Sequence, residues 1–124
     1  MPRLLLVDDD QAMHELIRQV AESCGFEVRA TSKPAEFLAL VEHFKPDLIG
    51  LDIAMPETDG IELIKVLAGA HCRAGVLIIS GLMPPFPDAA ERLGRARGLN
   101  MIGTVSKPFR VEELRRILAA AAAR

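Results

Sequence analysis

Residues 3–10 read Arg-Leu-Leu-Leu-Val-Asp-Asp-Asp, a short apolar run that ends abruptly in three acids. Four consecutive large apolar residues with no polar alternation fit a strand covered on both faces, and the acids mark where that strand meets solvent. The pattern recurs in Leu-Ile-Gly-Leu-Asp at 48–52 and in Val-Leu-Ile-Ile-Ser at 76–80. Between these runs lie longer stretches with helical spacing. Short apolar runs alternating with helical patterns predict repeated βα units, an α/β fold in which helices cover a parallel sheet.

Working outward, strands are predicted at residues 3–7, 26–31, 47–51, 75–80 and 100–105, with the runs at 4–7 and 76–79 in the middle of the sheet. The first helix spans 11–24: Ala12, Leu16, Ile17 and Val20 fall on one face, Gly25 terminates it, and Asp9 and Asp10 are good N-cap types at its entry. The second starts after Ser32, with Pro34 in its first turn, and ends near Phe44, just before Lys45-Pro46. A third covers 60–68 and stops at Gly69. A fourth covers 88–97, with Asp88 as its N-cap and Gly98 as its stop. The fifth covers 111–123, and its Ala-rich tail is expected to project as a helix or to fray.

At 124 residues, half of them apolar, the chain fits one domain over residues 1–124 with a single core. Its net charge of -2 comes from interleaved acids and bases, which argues against a surface for direct nucleic-acid contact. No apolar run is long enough to cross a bilayer and no signal-peptide pattern opens the chain, so neither a membrane nor secretion is expected. Cys24 and Cys72 lack metal or redox spacing and are read as reduced thiols of a cytoplasmic protein, Cys24 as a small buried hydrophobe at a helix end. His14, His43 and His71 show no ligand spacing and are assigned to helix or loop surfaces.

In an open parallel sheet, ligands bind beyond the carboxyl ends of the strands. The predicted strands deliver Asp8 and Asp9, Asp52, Ser80 and, after the fifth, Lys107 to that edge. Carboxylates packed together repel, and a hard divalent cation offsets the repulsion. Mg²⁺ is favoured because it shares phosphate oxygens. A carboxylate is also a competent nucleophile toward phosphorus, and Asp52, at the end of a central strand, is the natural acceptor. Phosphoryl transfer needs positioning and charge stabilisation on three equatorial oxygens, and here metal, Lys107 ammonium and Ser80 hydroxyl each have one.

Four stretches carry a specific resemblance: Leu-Val-Asp-Asp at 6–9, Asp-Ile-Ala-Met-Pro-Glu-Thr-Asp-Gly at 52–60, Ile-Ile-Ser-Gly at 78–81 and Ser-Lys-Pro-Phe at 106–109. In that order, in register with five βα units, they resemble the receiver domain of bacterial two-component response regulators. The resemblance implies a doubly wound, flavodoxin-like sheet of order 2-1-3-4-5 flanked by five helices. It implies that Asp52 is phosphorylated by a sensor histidine kinase or phosphotransfer protein. Mg²⁺ would be held by Asp9 and Asp52 directly, by Asp8 through water and by the backbone carbonyl of Ala54. Lys107 would bind the phosphoryl group and Ser80 would act as the switch hydroxyl, while Met55, Pro56 and Gly60 shape the following loop. The product would be a phosphoprotein switch, not a turnover enzyme. It would signal to a downstream output domain or protein and would be able to dimerise when phosphorylated. The alternative is a receiver-fold interaction module that works without phosphate.

Three departures qualify that pattern. Thr104 stands where the family usually has an aromatic switch residue. Ala54 and Leu82, two positions beyond Asp52 and Ser80, are apolar where fast self-dephosphorylating members carry polar groups, so a long-lived phosphoryl-Asp52 is expected. The loop from Gly81 to Pro87 is longer than usual and offers Met83 and Phe86 as a partner-binding patch. The run from Asp88 to Gly103 is similar to receivers that precede cyclic-di-GMP phosphodiesterase (EAL) domains.

Overall fold

Five strands and five helices alternate along the chain: β1 (Arg3–Val7), α1 (Gln11–Ser23), β2 (Glu27–Thr31), α2 (Pro34–Phe44), β3 (Leu48–Leu51), α3 (Gly60–Gly69), β4 (Gly75–Ser80), α4 (Phe86–Ala96), β5 (Asn100–Ser106) and α5 (Val111–Ala122). The structure, a computed structural model, describes residues 1–8, 10–52, 60–81 and 86–123. The strands form one parallel sheet in the order β2-β1-β3-β4-β5, the order the resemblance implies. The unbroken apolar runs are its centre: every residue of β3 and β4, and Leu4 to Val7 of β1, are buried.

Alternation along each strand sorts the core into two layers. Leu5, Val7, Ile49, Leu51, Val76 and Ile78 face α2, α3 and α4, where Phe37, Leu63, Ile64, Leu67 and Ala90 meet them. Leu4, Leu6, Leu48, Leu77, Ile79 and Val105 face α1 and α5, and pack on Ile17, Val20, Leu114 and Leu118. Both faces are therefore dry, and polar chemistry is left to the strand ends.

Local signals set most element boundaries. Asp10 caps α1, its side chain accepting from the Met13 amide at 3.2 Å. Gly25 ends that helix at φ 92°, a left-handed conformation that costs glycine little. Four expectations need correction. First, α4 starts at Phe86, so Asp88 lies in its first turn and does not cap it; Pro87 is compatible with this start because first-turn amides have no helical acceptor. Second, the Ala-rich tail of α5 does not project, since Ala121 and Ala122 pack against the α1/α5 core layer.

Third, His14 is not a surface residue. It is 7% exposed, on the α1 stripe shared with Ile17 and Ala21. His43 and His71 are exposed as expected. Fourth, Cys24 at the α1 C-cap is half-buried against the α1/α5 core layer, short of the small buried hydrophobe expected there; it and the half-buried Cys72 are free thiols.

β5 carries a feature the apolar pattern hides. Val76 pairs with Met101 but Leu77 pairs with Gly103, so Ile102 is an extra residue in a bulge. Met101 therefore faces the α4 layer and Val105 the α1/α5 layer, although four positions apart they would otherwise share a face.

Candidate functional site

The sheet register decides what stands at its carboxyl edge. Val7 lies opposite Leu51, so Asp8 and Asp52 emerge side by side from adjacent strands. Their backbones are tied into the sheet: the Asp8 amide donates to the Thr31 carbonyl at 3.2 Å and the Asp52 amide to the Val7 carbonyl at 2.9 Å. β4 brings Ser80 to the next strand end, with its side chain buried. Lys107 follows β5, and its amide donates to the Ser80 carbonyl at 2.8 Å. The Lys107–Pro108 peptide is cis.

From that anchor the Lys107 side chain reaches the two acids. Nζ donates to Asp8 Oδ2 at 2.8 Å and to Asp52 Oδ2 at 3.5 Å. Asp8 is 3% exposed and Asp52 5%, so one ammonium faces two nearly dry carboxylates. Burial alone would push the Asp8 carboxyl up, but the Lys107 hydrogen bond, the Asp10 amide at 2.9 Å, the Lys107 charge and a hydrogen bond with Asp52 together hold it below its ordinary value. For Lys107, burial would lower the ammonium, yet its bonds and attraction to Asp8 and Asp52 raise it. Both groups are thereby kept charged.

Four of the expected residues, Asp8, Asp52, Ser80 and Lys107, thus share one strand edge, and three of them touch. Asp9, Ala54, Met55, Pro56, Leu82 and Met83 lie outside the described residues, as does the Phe86 side chain, so the metal shell and the Met83–Phe86 patch are not part of this geometry. Thr104 is on β5, half-buried, opposite Ile78. One contributor went unrecognised in the sequence: Asp10 not only caps α1 but turns its own amide onto Asp8 Oδ1. A run of three acids was the available signal, with a strand ending just before the first and a helix starting just after the third.

A family model for the response regulator receiver domain matches residues 4–119. The chain belongs to that family. Among curated relatives, the response regulator MprA of Mycobacterium tuberculosis is 31% identical over 113 residues, which is 90% of this chain and 46% of the relative. MprA of Mycobacterium leprae is equally similar, 31% over 113 residues, covering 90% of this chain and 47% of the relative. The chain thus spans about half the length of the curated relatives it matches. Among solved structures, a response regulator from Colwellia psychrerythraea is 37% identical with a TM-score of 0.87, over 99% of this chain and 98% of that one. As a receiver domain, the chain is a module of phosphorylation-dependent signalling.

The donor set fits the Mg²⁺ that such a domain implies. Asp8, held ionised, and Asp52 offer hard carboxylate oxygens side by side at one buried edge. Among the described residues, which do not include Asp9, no group of three or more His, Cys, Asp or Glu is placed to hold a metal. No helix of the described residues is long and apolar enough to cross a membrane.

Proposed function

We propose that this receiver domain accepts a phosphoryl group on Asp52 in a Mg²⁺-dependent reaction and carries no turnover activity of its own. The observation behind this reading is the Lys107 ammonium shared between Asp8 and Asp52 at the end of the central strands. An Asp52 carboxylate oxygen attacks phosphorus while the bond from phosphorus to the donor's leaving atom breaks. The bound cation would supply charge neutralisation at the phosphoryl oxygens. Asp8, held ionised, retains the negative charge that such a cation needs, with Asp9 and the Ala54 carbonyl as further ligands. Lys107, tethered through its amide to Ser80, is positioned to turn from the acids to a phosphoryl oxygen. The Ser80 hydroxyl is the switch group.

The donor would be a sensor histidine kinase or a phosphotransfer protein, and the recipient of the signal an output domain or protein, all in the cytoplasm, with dimerisation on phosphorylation one mode of readout. The run at 88–103 points toward an EAL-type output. Thr104 gives the switch no ring to swing, so the readout would run through Ser80 and α4. The apolar Ala54 and Leu82 leave attacking water without a polar guide. The phosphorylated state is therefore expected to last minutes or longer in the purified domain, and decay within seconds would contradict this assignment.

Phosphate-affinity electrophoresis after incubation with a small phosphodonor tests the reaction. A retarded band should require Mg²⁺, vanish with EDTA, and form about a hundredfold more slowly in Lys107→Ala, the usual scale for losing one donor to the transferring group. A band indifferent to EDTA and to that substitution would overturn the proposal.

A further inference from the structure

The Asp8 carboxylate has an anchor on each of its oxygens. Lys107 Nζ donates to Oδ2 at 2.8 Å, and the Asp10 amide donates to Oδ1 at 2.9 Å. The backbone of Asp8 is fixed as well, its amide donating to the Thr31 carbonyl at 3.2 Å. The two side-chain anchors differ in one respect. Lys107 is the group that turns toward a phosphoryl oxygen when one arrives, and its flexible stem lets it leave. The Asp10 amide belongs to the main chain and has no such freedom. It is the anchor that stays.

The Asp10 residue itself aims that amide. It stands at the N-cap of α1 in an extended conformation, φ -93° and ψ 106°. Its Oδ1 accepts from the Met13 amide at 3.2 Å, and its carbonyl accepts from the His14 amide at 3.0 Å. Three of its polar groups are thus held at once, the amide by Asp8 and the other two by the first turn of α1. Alanine would keep the amide but release the side-chain tether, leaving residue 10 free to swing away from Asp8.

We infer that Asp10 is a positioning residue for the cation site: by capping α1 it holds its own amide on Asp8 Oδ1 and presents that carboxylate, already oriented, to Mg²⁺. This role rests on the Mg²⁺-dependent reaction proposed above and adds a residue with no assigned contact to metal or phosphoryl group. Partners that orient a metal-facing acid are worth about tenfold or more in metal affinity. The role asks for a capping side chain and not for a charge, so asparagine and serine, both good caps, should serve in place of aspartate.

The test compares the whole chain with Asp10→Ala, Asp10→Asn and Asp10→Ser, and since Asp10 is exposed none of these disturbs the core. In metal-free buffer, amide exchange followed by NMR should find the residue 10 amide protected in the wild type and in the Asn and Ser variants, with that protection lost in Asp10→Ala. In Mg²⁺ titrations the dissociation constant should rise about tenfold in Asp10→Ala and stay within about threefold of wild type in the two capping variants. A cap whose loss merely weakened the fold would lower the urea midpoint and move neither readout. Wild-type affinity in Asp10→Ala, or an equal loss in Asp10→Asn, which would make the effect one of charge, would overturn the inference and leave the Mg²⁺-dependent reaction standing. A wild-type chain with no saturable response to Mg²⁺ would overturn both.

Discussion

Lys107 decides how two buried carboxylates coexist, and its removal gives the sharpest residue-scale prediction. With Lys107 present, the Asp8 carboxyl is held below its ordinary value of 3.8, so the stability it contributes is present above that pH and lost as pH falls through the depressed folded value. The Lys107 ammonium is held above 10.5, so its share is complete below that pH and lost as pH rises through the raised folded value. Between those limits the pair's contribution is flat. In Lys107→Met the burial of Asp8 is opposed only by the Asp10 amide and the Asp52 hydrogen bond, so its carboxyl rises relative to the wild type and less stability is lost on the acid side when it is protonated. Urea unfolding with EDTA present should find Lys107→Met less stable than the wild type at neutral pH by about 1–3 kcal/mol, with the gap closing as pH falls below about 5. A gap that stays constant would show that the ammonium does not hold the acids ionised. The positions of these groups were legible in the sequence, because an acid or hydroxyl that ends an apolar strand can only lie at the sheet edge. Their contacts were not. That Lys107 would reach Asp8 at 2.8 Å and Asp52 at 3.5 Å depends on the register and on its amide bond to Ser80.

At the scale of elements, α4 is pressed onto β5 at Gly94. A Cβ there would meet Met101, whose Sδ, Cε and Cγ all crowd the position, Cγ at 3.0 Å. Alanine would gain about 1 kcal/mol of helix propensity, while overpacking a closed core costs about 1–3 kcal/mol. The second effect wins. Gly94→Ala is expected to lower the unfolding free energy, and Met101→Val in the same chain to recover most of the loss, with a coupling of about 1 kcal/mol in a double-mutant cycle. Additive effects would mean that helix and strand are not in the contact seen here. Element order, strand centres and helix ends were largely readable from apolar runs and from Gly25 and Gly98, each of which takes the left-handed conformation its place demands. Misreadings arose where residue type and position disagreed. His14 stands at helical spacing from Ile17 and Ala21, so periodicity placed it inside while its polarity argued for the surface. Gly103 marked a place where β5 was free to bulge, but only the paired strand reveals the extra residue at Ile102.

At the scale of the whole molecule, two dry layers on either side of the sheet leave the carboxyl edge as the place where acids of β1 and β3 meet the base that follows β5. A cation bound there joins distant segments, and binding to the folded state alone raises its stability with concentration. Mg²⁺ should therefore shift the urea midpoint of the wild-type chain upward, while Asp8→Asn should respond weakly and sodium at equal ionic strength should not reproduce the shift. An identical response in the variant would place the cation elsewhere. The account stands most directly on Asp52 as the acceptor. Intact-mass measurement after incubation with Mg²⁺ and acetyl phosphate, followed by peptide mapping, should show one added phosphoryl group, located on Asp52 and absent in Asp52→Asn. No added group on the wild-type chain, or one that persists in Asp52→Asn, would contradict it.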